Sequence, residues 1–246
     1  MKSIPQEEKL LRWQREHILR LADHFHEFNE ISGQHLRAQK FSLGIEALKI
    51  VADNWKTTTQ IEIHLGLNEV ETEKNAITFI PLFKTINAQG EEAFFDMEIT
   101  NEIPKSNTRT VNGLKPDIVP ESYVYMVTEN WNTVDFHLID DLFVVQSKNS
   151  PVRVRSYSLT EDLVKQLNSM NGEDLVAVHV YLGLDMNKFN KTNLTSFTPI
   201  FGFVFKDAVA NDTFSFLDAL NFSKRNNELK TREIFVQYSR PCPPTC

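Results

Sequence analysis

Cysteine, glycine, positive charge and long apolar runs are all scarce in this chain of 246 residues. The two cysteines, Cys242 and Cys246, sit in the last five positions, so no disulfide framework spans the fold. Two thiols supply at most half of a tetrahedral zinc site, and free thiols on an exposed tail are the expectation. With eight glycines there is no Gly-x-Gly-x-x-Gly and no Walker-type loop, which excludes the usual phosphate cradles of dinucleotide and P-loop enzymes. No apolar stretch nears the roughly 18 residues of a membrane helix, and the start, Met1-Lys2-Ser3-Ile4-Pro5, is too polar for a signal peptide. A cytoplasmic protein is expected, with no membrane partner. The net charge of −7 argues against a nucleic-acid partner. Residues 41–105 hold 5 basic and 11 acidic groups, so −6 of the total lies there, with Glu69, Glu71 and Glu73 close together. That cluster reads as a solvated loop. Four Asn-x-Ser/Thr sequons, at Asn190, Asn193, Asn211 and Asn221, count for little without a signal peptide.

What the chain does have is 41% apolar residues and 18 Phe, enough for a substantial core. Leu11, Ile18, Leu21, Phe25 and Phe28 recur at helical spacing, which predicts one long amphipathic helix over residues 6–28. Further helices are expected at 43–55, 160–170 and 214–226. Strict alternation in Ile61-Glu62-Ile63-His64-Leu65 predicts a half-buried strand. Other strands are expected at 77–86, 93–99, 123–127, 134–139, 142–145, 152–157, 175–184, 197–205 and 233–238. Residues 101–121, with three prolines and many small polar residues, read as an irregular connection.

An internal repeat rises above this background. Phe41-Ser42-Leu43 and Tyr157-Ser158-Leu159 each open a helix. Each helix leads to a strand ending in Leu-Gly-Leu, at 65–67 and 182–184, and then to Phe-x-Pro-x-Phe, at 79–83 and 197–201. Leu43 to Gly66 is 23 positions and Leu159 to Gly183 is 24; Gly66 to Pro81 is 15 and Gly183 to Pro199 is 16. Each proline lacks the N–H a ladder needs, so its strand is expected at an edge, at its own start, or with a bulge.

The repeat also supplies candidate site residues. Glu62 and His64 face away from Ile61, Ile63 and Leu65; their counterparts His179 and Tyr181 face away from Val178, Val180 and Leu182. Packed about a twofold axis with these faces inward, Glu62, His64, His179 and Tyr181 would line one ligand-binding cleft. Elsewhere the readings are plainer. His17, His24, His26 and His35 lack metal-ligand spacing and read as surface residues of the first helix. Asp135 and His137 share a strand face without a nucleophile in a known context. Trp55 and Trp131 read as packing residues. No metal and no cofactor is expected.

The fold class is therefore α+β: mainly antiparallel sheet with few helices, two tandem copies of a helix-strand-loop-strand unit, and a long N-terminal helix. The expected divisions are 1–40 (helix and connection), 41–105 (first unit), 106–156 (connecting strands), 157–238 (second unit) and 239–246 (exposed tail). No catalytic residue is identified. The expected function is a non-enzymatic binding or scaffold protein, through a protein partner or self-association. The alternative is a hydrolase using His and carboxylate groups in a cleft between the units.

Overall fold

The computed structural model describes residues 5–30, 33–68, 76–100, 118–147, 150–188, 196–206, 231–237 and 240–242. Helix α1 (Gln6–Arg15) leads through single helical turns at Ile18–Arg20 and Ala22–Phe25 to a hairpin, β1 (His26–Asn29) and β2 (Gln34–Arg37). Then come β3 (Lys40–Leu43), α2 (Ile45–Asp53), β4 (Thr58–Leu67), β5 (Phe79–Asn87) and β6 (Glu92–Ile99). The chain next forms α3 (Glu121–Thr133), helical turns at Phe136–Phe143, and a second hairpin, β7 (Val144–Ser147) and β8 (Ser150–Arg153). It ends with β9 (Ser156–Ser158), α4 (Glu161–Asn168), β10 (Leu175–Tyr181), β11 (Ile200–Lys206), β12 (Thr231–Gln237) and β13 (Arg240–Cys242).

Nine strands form one antiparallel sheet in the order β12-β11-β10-β3-β6-β5-β4-β9-β13. Its two edge strands are consecutive in the chain. Gln237 and Arg240 are three residues apart and so at most about 11 Å from one another. The sheet must therefore curl until its edges nearly meet. Inside the curl lies one core to which β3–β6 and β9–β12 all contribute: Phe41, Met97, Phe83, Ile63, Tyr157, Val180, Phe201 and Val236 among them. Trp13, Phe25, Phe79, Trp131, Phe143 and Phe197 fill one end, with Phe25 stacked on Phe143 at 5.3 Å between centroids and 4° between planes. Trp55, beyond α2, packs on Phe203 and Phe205. Outside, α1 crosses the β4–β5–β6 part, and Val124 and Val127 of α3 pack with Tyr181, Ile200 and Phe235.

Several strand pairings recur in the two halves. Leu67 pairs with Phe79 and Leu184 with Phe197; Ile63 pairs with Phe83 and Val180 with Phe201. Phe83 then pairs with Phe95, and Phe201 with Val236. Each half also lends its short first strand to the other half: Ser42 of β3 pairs with His179 of β10, and Ser158 of β9 with Glu62 of β4. Both repeat prolines lie where a ladder is incomplete. Leu65, opposite Pro81, sends its N–H to Arg155 O, so Pro81 meets β4 as a non-hydrogen-bonded pair, and pairing with β6 begins only at Leu82. Pro199 directly precedes β11.

Several sequence expectations need correction. The long N-terminal helix stops at Arg15, because Glu16 is extended (ψ 143°) and Arg153 takes the carbonyls of Trp13 and Glu16, both at 2.7 Å. Ending there lets Leu21, Ala22 and Phe25 enter the core, which one straight helix lying on the surface would not allow. His24 and His26 are buried rather than exposed. The expected strand at 123–127 is helix α3, whose Val124, Val127 and Trp131 fall on one buried helical stripe. The expected strand at 134–139 is helical turn, and the Asp135 carboxylate caps it by accepting the His137 N–H at 2.9 Å. Arg240–Cys242 form an edge strand on β9, and Cys242 is disulfide-bonded, not a free thiol. The acidic cluster at Glu69–Glu73, the four sequons, the helix expected at 214–226 and Cys246 lie outside the described residues.

Candidate functional site

Alternation along β4 and β10 sends Glu62, His64, His179 and Tyr181 to the outer face of the sheet, opposite the apolar residues that fill the core. They stand as two pairs and not as the four walls of one cleft. Between β4 and β10 lie β5, β6 and β3, so the pairs are separated by four strand spacings, about 19 Å along the sheet. Each pair sits at a seam where one half of the chain pairs with the other.

At the β3–β10 seam, Ser42 Oγ lies 2.8 Å from His179 Nδ1 and 2.8 Å from Thr100 Oγ1. Lys40, opposite Tyr181 in register, places its ammonium 5.3 Å from the centre of the phenol ring. The Tyr181 hydroxyl donates to Glu233 Oε1 at 2.9 Å. Gly202, opposite His179 on β11, makes this reach possible, since a Cβ there would meet the Glu233 carboxylate and the Tyr181 ring. Burial, with help from the Lys40 charge, pushes the His179 imidazole down to about 4. It also raises the Tyr181 phenol, with the Glu233 charge adding to the effect, and raises the Glu233 carboxyl. His179 is thus neutral near pH 7. The Ser42–His179 contact has the geometry of a hydroxyl beside a base, although Thr100 also binds the same oxygen.

At the β4–β9 seam the set is more open. His64 Nε2 lies 2.7 Å from Glu62 Oε2, and Lys84 Nζ is 2.9 Å from Glu92 Oε1 and 3.9 Å from Glu62. The hydrogen bond from His64 holds the Glu62 carboxyl below its ordinary range against the effect of burial, and the charges of His64 and Lys84 add to it. Phe94 supports both His64 and Lys84. Among the described residues, surface hollows lie elsewhere: one of about 410 Å³ is lined by Glu8, Leu11, Arg12, Arg15 and Glu16, and one of about 190 Å³ lies beside Ile50, Asn54 and Thr85. Neither is lined by the four residues expected from the sequence.

Sequence reasoning missed the partners. Ser42 stood only as part of a repeat signature, and Thr100, Lys40 and Glu233 carried no signal; strand register brings them together. Asp135 and His137 form a backbone cap, as described above, and Trp55 and Trp131 are fully buried packing residues. Among the described residues, no group of three or more His, Cys, Asp or Glu could hold a metal ion, and no helix is long and apolar enough to cross a membrane. No family model matches the chain, and neither a curated protein nor a solved structure matches it.

Proposed function

We propose that this chain is a non-enzymatic binding or scaffold protein of the cytoplasm, built as a single-chain version of a twofold dimer. The duplicated unit is larger than 41–105 and 157–238 and takes in the helix and hairpin before each. The observation that carries this reading is a set of reciprocal bonds between the halves. Trp13 Nε1 donates to Val154 O at 2.8 Å, and Trp131 Nε1 to Ala38 O at 2.7 Å. Arg37 binds the carbonyls of Trp131 and Val134, while Arg153 binds those of Trp13 and Glu16. Leu182 N donates to Gln39 O, and Leu65 N to Arg155 O. Trp13 and Trp131 are 118 positions apart, as are Glu16 and Val134; Arg37 and Arg153 are 116 apart, as are Ala38 and Val154. A dimer's mutual contacts have this form: residue i of one copy meets residue j of the other, and j meets i. Scarce cysteine is the feature that points to cytoplasm; the disulfide at Cys242 points the other way.

A circular permutant tests the duplication. If the halves are equivalent, a copy of residues 101–117 joining residue 246 to residue 1 should span that gap as it spans the first. New termini are then opened between residues 108 and 109. The expected outcome is a soluble protein melting within about 4 °C of the parent, roughly 1 kcal/mol. An unfolded permutant would count against equivalent halves.

The Ser42–His179 contact is the one observation favouring the hydrolase alternative. Aryl-ester hydrolysis by the full chain, compared with Ser42→Ala, separates the readings. Binding or scaffolding predicts equal background rates for the two. Turnover by the parent that Ser42→Ala abolishes would establish the alternative.

A further inference from the structure

We infer that the partner these seams fit is a second copy of this chain, and that two chains can exchange halves to form a closed dimer with the same seams. The inference rests on the duplication proposed above and adds a partner to it. The β3–β10 and β4–β9 pairings, both indole bonds and both guanidinium clasps run from one half to the other. None of them requires the halves to belong to one chain. What keeps them together is residues 101–117. Thr100 donates its N–H to Lys40 O beside β3, whereas Ile118 bridges Val236 on the side of β12 away from β11. Strands β3, β10, β11 and β12 lie between these points, so the crossing is five spacings, about 24 Å along the sheet. Seventeen residues reach up to roughly 60 Å. That reach exceeds the crossing, so one chain can close its own seams. Cut the reach below the crossing, and the same seams close only between two chains.

The test is the full chain lacking residues 102–116, whose remaining linker reaches about 11 Å. Light scattering on the eluting peak should give twice the parent's mass, with the parent's circular dichroism spectrum. A control with 17 Gly and Ser residues in place of 101–117 should stay monomeric. A folded monomer from the shortened chain would overturn the exchange. Should the shortened chain be insoluble, wild-type chains bearing two different tags are unfolded and refolded together at high concentration. A doubly tagged dimer then supports the exchange, and its absence overturns it. A permutant that folds while no exchange is seen rejects the exchange alone; failure of both rejects the duplication as well.

Discussion

Arg37 and Arg153 each end a helix that belongs to the other half. An α-helix leaves its last carbonyls without partners, and here a guanidinium supplies the missing donors from across the seam. Truncation to Ala leaves those carbonyls half-buried and unmet. Arg153→Ala is expected to cost about 2–4 kcal/mol in urea unfolding, and Arg37→Ala a similar amount. Equal losses are what reciprocal roles demand; a loss under 0.5 kcal/mol, the size of a neutral surface change, in either variant would break the pairing. Arg37 has a further bond. Its Nε donates to His26 Nε2 at 2.7 Å, while His26 Nδ1 donates to Ala22 O at 2.7 Å, so that ring is held neutral.

Acid should therefore weaken the fold. Burial lowers His24, His26 and His179, the last to about 4, whereas an unfolded histidine titrates at about 6.5. Below that value the unfolded chain binds more protons than the folded one, so their stabilisation, complete above about 6.5, falls as the pH drops toward 4. Glu233 and Asp140 are raised by burial and act in the opposite sense at the acid end of this range. The histidine part is isolated by comparing urea midpoints of the parent and His179→Gln from pH 7 to pH 4.5. The variant should show the shallower decline, and parallel curves would refute the assignment to His179.

Between elements, the repeat's glycines mark where a helix crosses the end of a strand. A Cβ on Gly66 would meet the tip of Leu82 at 2.6 Å and Lys9 Cβ of α1 at 3.3 Å. On Gly183 it would meet Thr198 O and Val127 Cγ2 of α3, both at 2.7 Å. The Leu82 tip can rotate away; the Thr198 backbone carbonyl cannot. Gly183→Ala should thus cost about 1–3 kcal/mol and Gly66→Ala less, read as melting temperatures. The reverse order would show that the α3 crossing is the looser one. At this scale the helices α2 and α4, and most of the strands, were legible from periodicity. Helix α3 was not: its Tyr and Val content favours strands locally, and only burial along Val124, Val127 and Trp131 selects the helix.

Across the whole molecule, one curled sheet and one core join the halves, so neither half holds a complete core alone. The exchange of first strands explains why no shared cleft forms. With β3 inserted beside β10 and β9 beside β4, the strand faces carrying Glu62 and His179 turn outward at separate seams. The symmetry expected from the sequence is compatible with this arrangement; the inward orientation of those faces is not.

Composition and spacing alone determined that this chain folds as α+β with mainly antiparallel strands, and which residues of β4 and β10 share a face. Period-2 alternation is a local property, readable wherever one face is apolar. They also pointed to Leu-Gly-Leu and Phe-x-Pro-x-Phe as recurring marks. Only the tertiary structure decided where the first helix stops, which histidines are buried, and that Ser42, Thr100, Lys40 and Glu233 gather around His179 and Tyr181. Those outcomes depend on partners more than 50 positions away in sequence, from Arg153 clasping α1 to Ser42 meeting His179. No local pattern encodes a register between strands so far apart, because it is set by how two halves fill one common core.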